Sequence, residues 1–195
     1  MTASDFIRLE GFLDPQECRV LIDCFQRNAN LLFRNPAGDP FWVHRYLWMS
    51  SIPDTEGACK RIMQNARNRI IGMVREFYGE PREIFADSVQ LVRWPPGVAM
   101  PPHADNCEPD GQPNIAPHRD YAAVVYLNEE FSGGEFYFVN LEVEIKPKTG
   151  LLVAFTGGLR HLHGVRAAEG AVRFTMPSWY THDKSKADPC TWTVY

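Results

Sequence analysis

The chain has 195 residues, of which 45% are hydrophobic, and a formal net charge of −4 at pH 7. This length and apolar content are typical of one domain, residues 1–195, with a well-filled core. The weakly acidic balance offers no basic surface for nucleic acid, and no apolar stretch reaches the roughly 20 residues that a membrane helix needs.

The N-terminal part, about residues 1–80, is predicted to support the fold with a short strand over residues 6–12 and two helices. Asp14 can cap the first helix, Pro15 suits its first turn, and Glu17 stands where a capping box needs a carboxylate. We expect this helix to cover a sheet, because its apolar residues fall on one face: Val20, Leu21, Cys24 and Phe25.

The second helix is predicted from about Thr55 to Tyr78, and Gly79 with Pro81 ends it. Its apolar residues recur at spacings of three and four: Ile62, Ala66, Ile70, Met73, Val74 and Phe77. Its opposite face is basic, and we interpret that face as solvated: Lys60, Arg61, Arg67, Arg69 and Arg75.

Between the helices, residues 33–53 mix chain breakers with aromatic residues, which indicates a long loop or an irregular hairpin. The breakers and aromatic residues are Asn35-Pro36, Gly38-Asp39-Pro40, Ile52-Pro53, Phe41, Trp42, Tyr46 and Trp48. Two interpretations stay open for this segment. It is either a lid over a site or a satellite apolar cluster.

From about residue 83 to residue 183 the pattern is that of a β structure. Short predicted strands alternate with turns, at 88–94, 122–127, 135–140, 143–145, 151–156, 163–166 and 171–180. Such spacing predicts a sandwich or barrel. With two helices before it, the fold is predicted to be mainly β with flanking helices, a jelly roll (double-stranded β-helix) backed by two N-terminal helices.

A candidate metal site begins at His103 and Asp105, which would point to the same face of an extended strand because they are two positions apart. A second histidine ligand could come from His161 or His163, which the alternation of a strand does not separate. Two histidines and one carboxylate form the facial triad of non-haem Fe(II) oxygenases, which leaves coordination positions open.

Arg173 is a candidate anion-binding residue ten positions after His163. The turn at Glu169-Gly170 is predicted to fold the strand of Arg173 back beside the strand of His163. The guanidinium would then lie near the metal, one small molecule away, where its planar fork suits a carboxylate. Tyr126 could add a phenolic hydrogen bond to the same carboxylate.

Several motifs follow one another in a fixed order between residues 88 and 183. They are His103-Ala104-Asp105-Asn106-Cys107, Arg119-Asp120-Tyr121, Tyr126-Leu127-Asn128-Glu129-Glu130-Phe131, Gly133-Gly134-Glu135-Phe136, Lys146-Pro147-Lys148-Thr149-Gly150, and His163-Gly164-Val165 with Arg173. In this order they resemble the catalytic domain of prolyl hydroxylases in the Fe(II)/2-oxoglutarate dioxygenase superfamily. The strongest likeness is to the prolyl 3-hydroxylase (leprecan) branch.

The resemblance implies a set of site residues and cofactors. His103, Asp105 and His163, rather than His161, would hold Fe(II) and carry the catalysis. The cofactor-binding residues would be Arg173, Tyr126 and Trp179. The enzyme would use 2-oxoglutarate and O2, with ascorbate as an optional further cofactor.

The expected function is hydroxylation of an unactivated C–H bond of a prolyl residue in a peptide or protein. A free amino acid or small metabolite is the alternative substrate. Two other classes stay open, a non-oxidative metal enzyme of the cupin type and a non-catalytic jelly-roll binding module. We expect no nucleic-acid or membrane partner, while the oligomeric state stays open. The substrate is expected between residues 33–53 and residues 106–118.

The five cysteines form no CxxC pair, and we interpret them as free thiols in a reducing cytoplasm. Residues 1–10 contain no basic segment followed by an apolar run, so we expect no secretory signal.

Overall fold

The computed structural model describes residues 5–34 and 40–188. These ranges contain two α-helices, α1 (Pro15–Arg27) and α2 (Gly57–Tyr78). The strands in chain order are β1 (Ile7–Leu9), β2 (Tyr46–Trp48), β3 (Phe85–Trp94), β4 (Met100–His103), β5 (Tyr121–Tyr126), β6 (Ser132–Gly133), β7 (Phe136–Phe138), β8 (Val143–Ile145), β9 (Leu152–Thr156), β10 (His163–Val165), β11 (Ala168–Glu169) and β12 (Arg173–Thr181).

The strands form two facing antiparallel sheets. The larger sheet has the order β1-β9-β5-β12-β3-β2, and the smaller has the order β4-β10-β7-β8. The short strands β6 and β11 pair with each other. The prediction of a mainly β jelly roll with flanking helices is confirmed. The N-terminal part also contributes to the sheet, since β1 pairs with β9 and β2 pairs with β3.

Alternation along the strands of the larger sheet separates two cores. Residues such as Leu91 and Val125 point outward and pack with the buried faces of α1 and α2. Their neighbours Tyr126 and Phe155 point inward, against Phe136 of the smaller sheet. The helices therefore cover one face of the larger sheet, and the space between the two sheets is left for a cavity.

Helix α1 begins with the predicted capping box. The Asp14 carboxylate accepts hydrogen bonds from the backbone N–H groups of Gln16 and Glu17 at 2.7 and 2.8 Å. The Glu17 carboxylate in turn accepts from the Asp14 N–H at 3.0 Å. Cys18 lies on the buried face together with the predicted Leu21, Cys24 and Phe25, whereas Val20 is only half-buried.

We expect Asp14→Ala to lower the free energy of unfolding by about 1 kcal/mol, because two N–H groups of the first turn lose their acceptor. Thermal denaturation measures this loss. Asp14→Asn is the matched control, since it keeps an acceptor oxygen and should recover most of the stability. Equal destabilisation by both substitutions would contradict the capping role.

Two expectations for α2 are wrong. Arg67 was placed on the solvated face, but it is buried because it lies four residues after Met63 and three before Ile70, on the apolar stripe. Phe77 was placed on the buried face and is exposed. Residues 54–56 form a 3₁₀ turn, so the α-helix itself starts at Gly57.

The segment 33–53 contains a strand that the breaker pattern concealed. Strand β2 pairs with β3 at the edge of the larger sheet, Tyr46 opposite Val92 and Trp48 opposite Gln90. The aromatic residues form a cluster, as one of the two interpretations expected, in which Phe33, Phe41, Trp42 and Trp48 pack around Tyr46, Val92 and Trp94. The breakers at 35–39 lie outside the described residues.

The predicted hairpin between the strands of His163 and Arg173 is wrong. Strand β10 pairs with β4 and β7 in the smaller sheet, whereas β12 pairs with β3 and β5 in the larger one. The turn at Glu169-Gly170 therefore carries the chain from one sheet to the other. The two side chains line the same cavity from opposite sheets and not from neighbouring strands.

Neither helix in the described ranges is long and apolar enough to cross a lipid bilayer. Cys18, Cys24, Cys59 and Cys107 are free thiols, as predicted, and Cys190 lies outside the described residues.

Candidate metal centre and its cavity

The three predicted metal ligands come together at the inner face of the smaller sheet. His103 ends β4 and stands directly opposite His163, the first residue of β10. One ligand atom from each of His103, Asp105 and His163 lies within 4.8 Å of the others. The two imidazole rings are 4.3 Å apart between centroids, and the His163 Nε2 is 3.9 Å from the Asp105 Oδ2.

Backbone carbonyls fix the orientation of both imidazole rings. The Nδ1 of His103 lies 3.0 Å from the carbonyl oxygen of Pro101, and the Nδ1 of His163 lies 2.8 Å from that of His161. A carbonyl can only accept, so each Nδ1 carries the proton and donates it. Each Nε2 is then left with its lone pair, as metal-bound histidines require.

Burial keeps the His163 ring neutral. It is stacked on Phe136 at 5.0 Å and packed edge-on against Phe155. Desolvation lowers the pKa of His163 to about 4, against the opposing effect of the nearby Asp105 carboxylate. The imidazole is thus available as a ligand at neutral pH without first losing a proton.

Asp105 reaches the site from a bend and not from the strand that the two-residue spacing predicted. Strand β4 stops at His103, and the backbone N–H groups of Asp105 and Asn106 then donate to the Gly157 carbonyl at 2.8 and 3.2 Å. Position 157 must be glycine, because a Cβ there would lie 2.2 Å from the carbonyl oxygen of Arg119. The close approach of these loops therefore places the carboxylate.

The two oxygens of the Asp105 carboxylate have different surroundings. Oδ1 accepts a hydrogen bond of 2.7 Å from the indole Nε1 of Trp179. Oδ2 is buried and has no hydrogen-bond partner among the described residues. A buried carboxylate oxygen without a partner is costly unless a cation binds it. Together with the two free Nε2 atoms, this oxygen fits a divalent metal ion held by three protein ligands.

His161 is excluded as a ligand because both of its ring nitrogens are engaged elsewhere. Its Nδ1 lies 2.6 Å from the Thr156 hydroxyl and accepts from the Thr156 N–H, and its Nε2 donates to the Asp5 carbonyl at 3.1 Å. These contacts favour His163 in the choice that periodicity left open.

The metal ligands open into a cavity of about 110 Å³ between the sheets, many times the roughly 10–15 Å³ that one water needs. Arg173 and Tyr126 line the same cavity, as predicted. Its walls are otherwise mainly apolar, and the lining side chains include Trp42, Val92, Trp94, Met100, Val124, Phe136, Phe155, Val165 and Pro177.

Arg173 is a buried cation without an anionic partner. Its side chain is 2% exposed, yet no carboxylate among the described residues pairs with it, and its Nε has no hydrogen-bond acceptor there. One Nη donates to the Gly134 carbonyl at 3.1 Å, and the guanidinium lies 4.5 Å above the Trp94 ring. Burial lowers the pKa of Arg173 to about 10, so the group stays charged at neutral pH.

Tyr126 completes the candidate anion site. Burial raises its pKa to about 12, so the hydroxyl stays protonated and can donate a hydrogen bond. Thr175 pairs with Tyr126 on one side and with Val92 on the other, and its hydroxyl accepts from the Trp94 indole at 3.1 Å. A cation and a neutral donor therefore face the cavity from neighbouring strands, a combination that suits a carboxylate.

Trp179 acts on the metal site through Asp105. Arg119 stacks over the outer face of the Trp179 ring at 4.1 Å and is itself held by Asp87 at 2.9 Å. Arg119 therefore has a structural partner in Asp87.

We expect Trp179→Phe to weaken binding of a divalent metal by about tenfold or more, because Asp105 loses the bond that orients it. Titration of the metal-free protein with Mn(II) measures the affinity. Trp94→Phe is the matched control, since its indole lines the same cavity but donates to Thr175. A similar loss in both variants would show that the effect comes from cavity packing and not from the Trp179 hydrogen bond.

Sequence reasoning missed Trp94 as the support of Arg173, and it missed Gln90. Both lie on β3 and face the cavity together with Val92, at every second position. The signal was present, because Gln90 is a long polar residue that shares a face of the predicted strand with Val92 and Trp94. The other histidines lie elsewhere, with His118 beside Asp87 and His182 beside Glu80.

Residues 89–181 match the model of the 2OG-Fe(II) oxygenase superfamily. Human prolyl 3-hydroxylase 2 is 37% identical over 98 residues, which cover 44% of this chain and 14% of that protein. This chain thus matches only about one seventh of the length of the curated relative.

Two solved structures share the fold over most of the chain. A viral collagen prolyl hydroxylase from Paramecium bursaria Chlorella virus-1 superposes with a TM-score of 0.70, at 21% identity, over 93% of this chain and 97% of that one. The prolyl hydroxylase of Trichoplax adhaerens, solved with a hypoxia-inducible-factor peptide fragment, gives 0.73 at 19% identity, over 95% and 86%.

Proposed function

We propose that the protein is an Fe(II)- and 2-oxoglutarate-dependent dioxygenase, a proposal supported by the match of residues 89–181 to the model of the 2OG-Fe(II) oxygenase superfamily. It hydroxylates an unactivated C–H bond of a prolyl residue in a peptide. The overall reaction consumes one O2 and one 2-oxoglutarate and yields the alcohol, succinate and CO2. The bound metal, cosubstrate and O2 supply the oxidising chemistry, while the protein supplies orientation and a dry site.

The proposal rests on one observation: the cavity contains two charged groups that each lack a partner of opposite charge. The carboxylate Oδ2 of Asp105 needs a cation, and the buried Arg173 needs an anion. A metal ion alone would satisfy only the first need. A dicarboxylate that reaches from the metal to the guanidinium satisfies the second, which a non-oxidative cupin-type enzyme would not require.

Each residue of the site has a distinct role in this proposal. His103, Asp105 and His163 hold Fe(II) through the two Nε2 atoms and Oδ2. Arg173 and Tyr126 bind the far carboxylate of 2-oxoglutarate.

Surrounding side chains support these groups. The Trp94 ring supports the guanidinium, and Trp179 binds Oδ1 of Asp105, which leaves Oδ2 as the oxygen that would hold the metal. The apolar walls, with Phe136, Phe155 and Val165, exclude water from the reacting atoms.

Support for a prolyl peptide as substrate comes from the relatives. The matched curated proteins are named prolyl 3-hydroxylases, and the Trichoplax enzyme was solved with a peptide bound.

We also propose a reducing cytoplasmic setting, which is supported by Cys24 and Cys59, two thiols in hydrogen-bond contact that stay unbridged. Ascorbate is proposed as an optional reductant for the iron.

The test is to strip the protein of metal, add back Fe(II), Mn(II) or Zn(II), and measure succinate release from 2-oxoglutarate in air. We expect release with Fe(II) only, and stimulation by capped prolyl peptides with a mass gain of one oxygen on the peptide. Stimulation by free amino acids alone would replace the peptide substrate with the metabolite alternative. Failure to bind 2-oxoglutarate with any metal would refute the dioxygenase proposal as a whole.

A further inference from the structure

Gln90 is a largely buried polar residue to which the proposed function assigns no role. It is 6% exposed and lines the cavity. Nothing in residues 5–34 and 40–188 hydrogen-bonds its carboxamide. Its amide oxygen and nitrogen are therefore available to hydrogen-bond a ligand in the cavity.

The register places Gln90 towards the metal end of the cavity. On β12, the cavity-facing residues run from Arg173 to Trp179, which is bonded to the metal ligand Asp105. Since Thr175 pairs with Val92 and Ser178 with Val89, Gln90 lies level with Pro177, one cavity-facing position from Trp179 and two from Arg173. The carboxamide is thus closer to the level of the reacting end than to that of the anion site.

Gln90 lies next to the edge of the larger sheet. Its strand neighbour away from β12 is β2, the edge of the larger sheet, where Trp48 stands opposite it. Trp42 of the adjoining aromatic cluster lines the same cavity.

The charges of the cavity restrict what that substrate can be. Apart from the metal ligands, Arg173 is the only charged group among the described lining residues, and it is committed to 2-oxoglutarate in the proposed function. A free amino acid would bring an ammonium and a carboxylate with no opposite charge to receive them. A peptide group is neutral, and a carboxamide offers it both a donor and an acceptor.

We infer that the Gln90 carboxamide binds a backbone peptide group next to the target residue, which selects a peptide-embedded substrate over a free amino acid. The inference rests on the proposed function and deepens it. Gln90 is then a specificity-determining residue that contacts substrate, while metal and 2-oxoglutarate bind without it.

The test is calorimetric binding to full-length protein loaded with Mn(II) and 2-oxoglutarate, which does not turn over. The probes are a pool of acetylated, amidated pentapeptides with one central proline, and free L-proline. Gln90→Met keeps the side-chain size and removes the polar atoms, so we expect the peptide Kd to rise about three- to tenfold. The Kd of 2-oxoglutarate should stay unchanged, which also shows that the variant is folded.

Ser88→Ala is the matched control. Ser88 faces the same side of β3 two positions away and has a buried hydroxyl without a partner, but it does not line the cavity. Its loss should leave peptide binding unchanged. Gln90→Glu is the second variant. It replaces the amide donor with a charged acceptor and should also weaken peptide binding.

Three results would overturn the inference: unchanged peptide affinity in both Gln90 variants, a weaker 2-oxoglutarate affinity in Gln90→Met, or wild-type binding of free L-proline but not of the peptides. Failure of the proposed function looks different, because the wild-type protein would then not bind 2-oxoglutarate at all.

Discussion

Arg173→Ala is expected to weaken 2-oxoglutarate binding by at least about a hundredfold while the affinity for the metal stays unchanged. The substitution removes a fully buried cation from the end of the cavity that has no other positive charge, and a desolvated charge pair of this kind is costly to break. A hundredfold loss corresponds to about 2.8 kcal/mol. Calorimetric titration of Mn(II)-loaded protein with 2-oxoglutarate gives the affinity directly.

Arg173→Lys is the informative companion to this variant. It keeps the charge but loses the planar fork and the stacking on Trp94, so an intermediate affinity is expected. Parallel loss of metal and 2-oxoglutarate binding in Arg173→Ala would mean that the residue supports the fold of the site and not the cosubstrate.

His163→Ala is expected to weaken metal binding by more than the 10- to 100-fold that the loss of an outer partner costs, because it removes one of three ligands. The neighbouring His161→Ala should keep the metal affinity. It should instead destabilise the fold by about 2–4 kcal/mol, since it deletes a buried ring bonded to Thr156 and Asp5.

Metal titration and thermal denaturation of both variants separate these outcomes. The two histidines are two positions apart and both are buried, so the pair is closely matched. Stronger loss of metal binding in His161→Ala would overturn the ligand assignment.

Local patterns were sufficient for much of the fold. The capping box at Asp14 and the Gly79 that ends α2 were readable because each depends on residues within one turn. Strand β2 was not readable, because its three residues are held by pairing with β3 and are surrounded by breakers. The prediction for Arg67 was wrong because its charge suggested a solvated position, whereas its place on the apolar face of α2 buries it beside Met63 and Ile70.

The candidate site was predictable as a set of residues and not as an arrangement. Periodicity brought His103 and Asp105 together for the wrong reason, since the carboxylate is placed by the Gly157 carbonyl from a distant loop. It could not separate His161 from His163, a choice that rests on contacts with Thr156 and Asp5. The positions of Gln90 and Trp94 relative to the site can be assigned only once the strand register is known.

The division of the metal ligands between the two layers has a mechanical consequence. The two imidazoles belong to one sheet, whereas the carboxylate is tied through the indole of Trp179 to β12 of the other. A metal ion bound by all three ligands would therefore link the two sheets. Removal of the metal would then lower the free energy of unfolding, since a ligand that binds only the folded form adds to its stability.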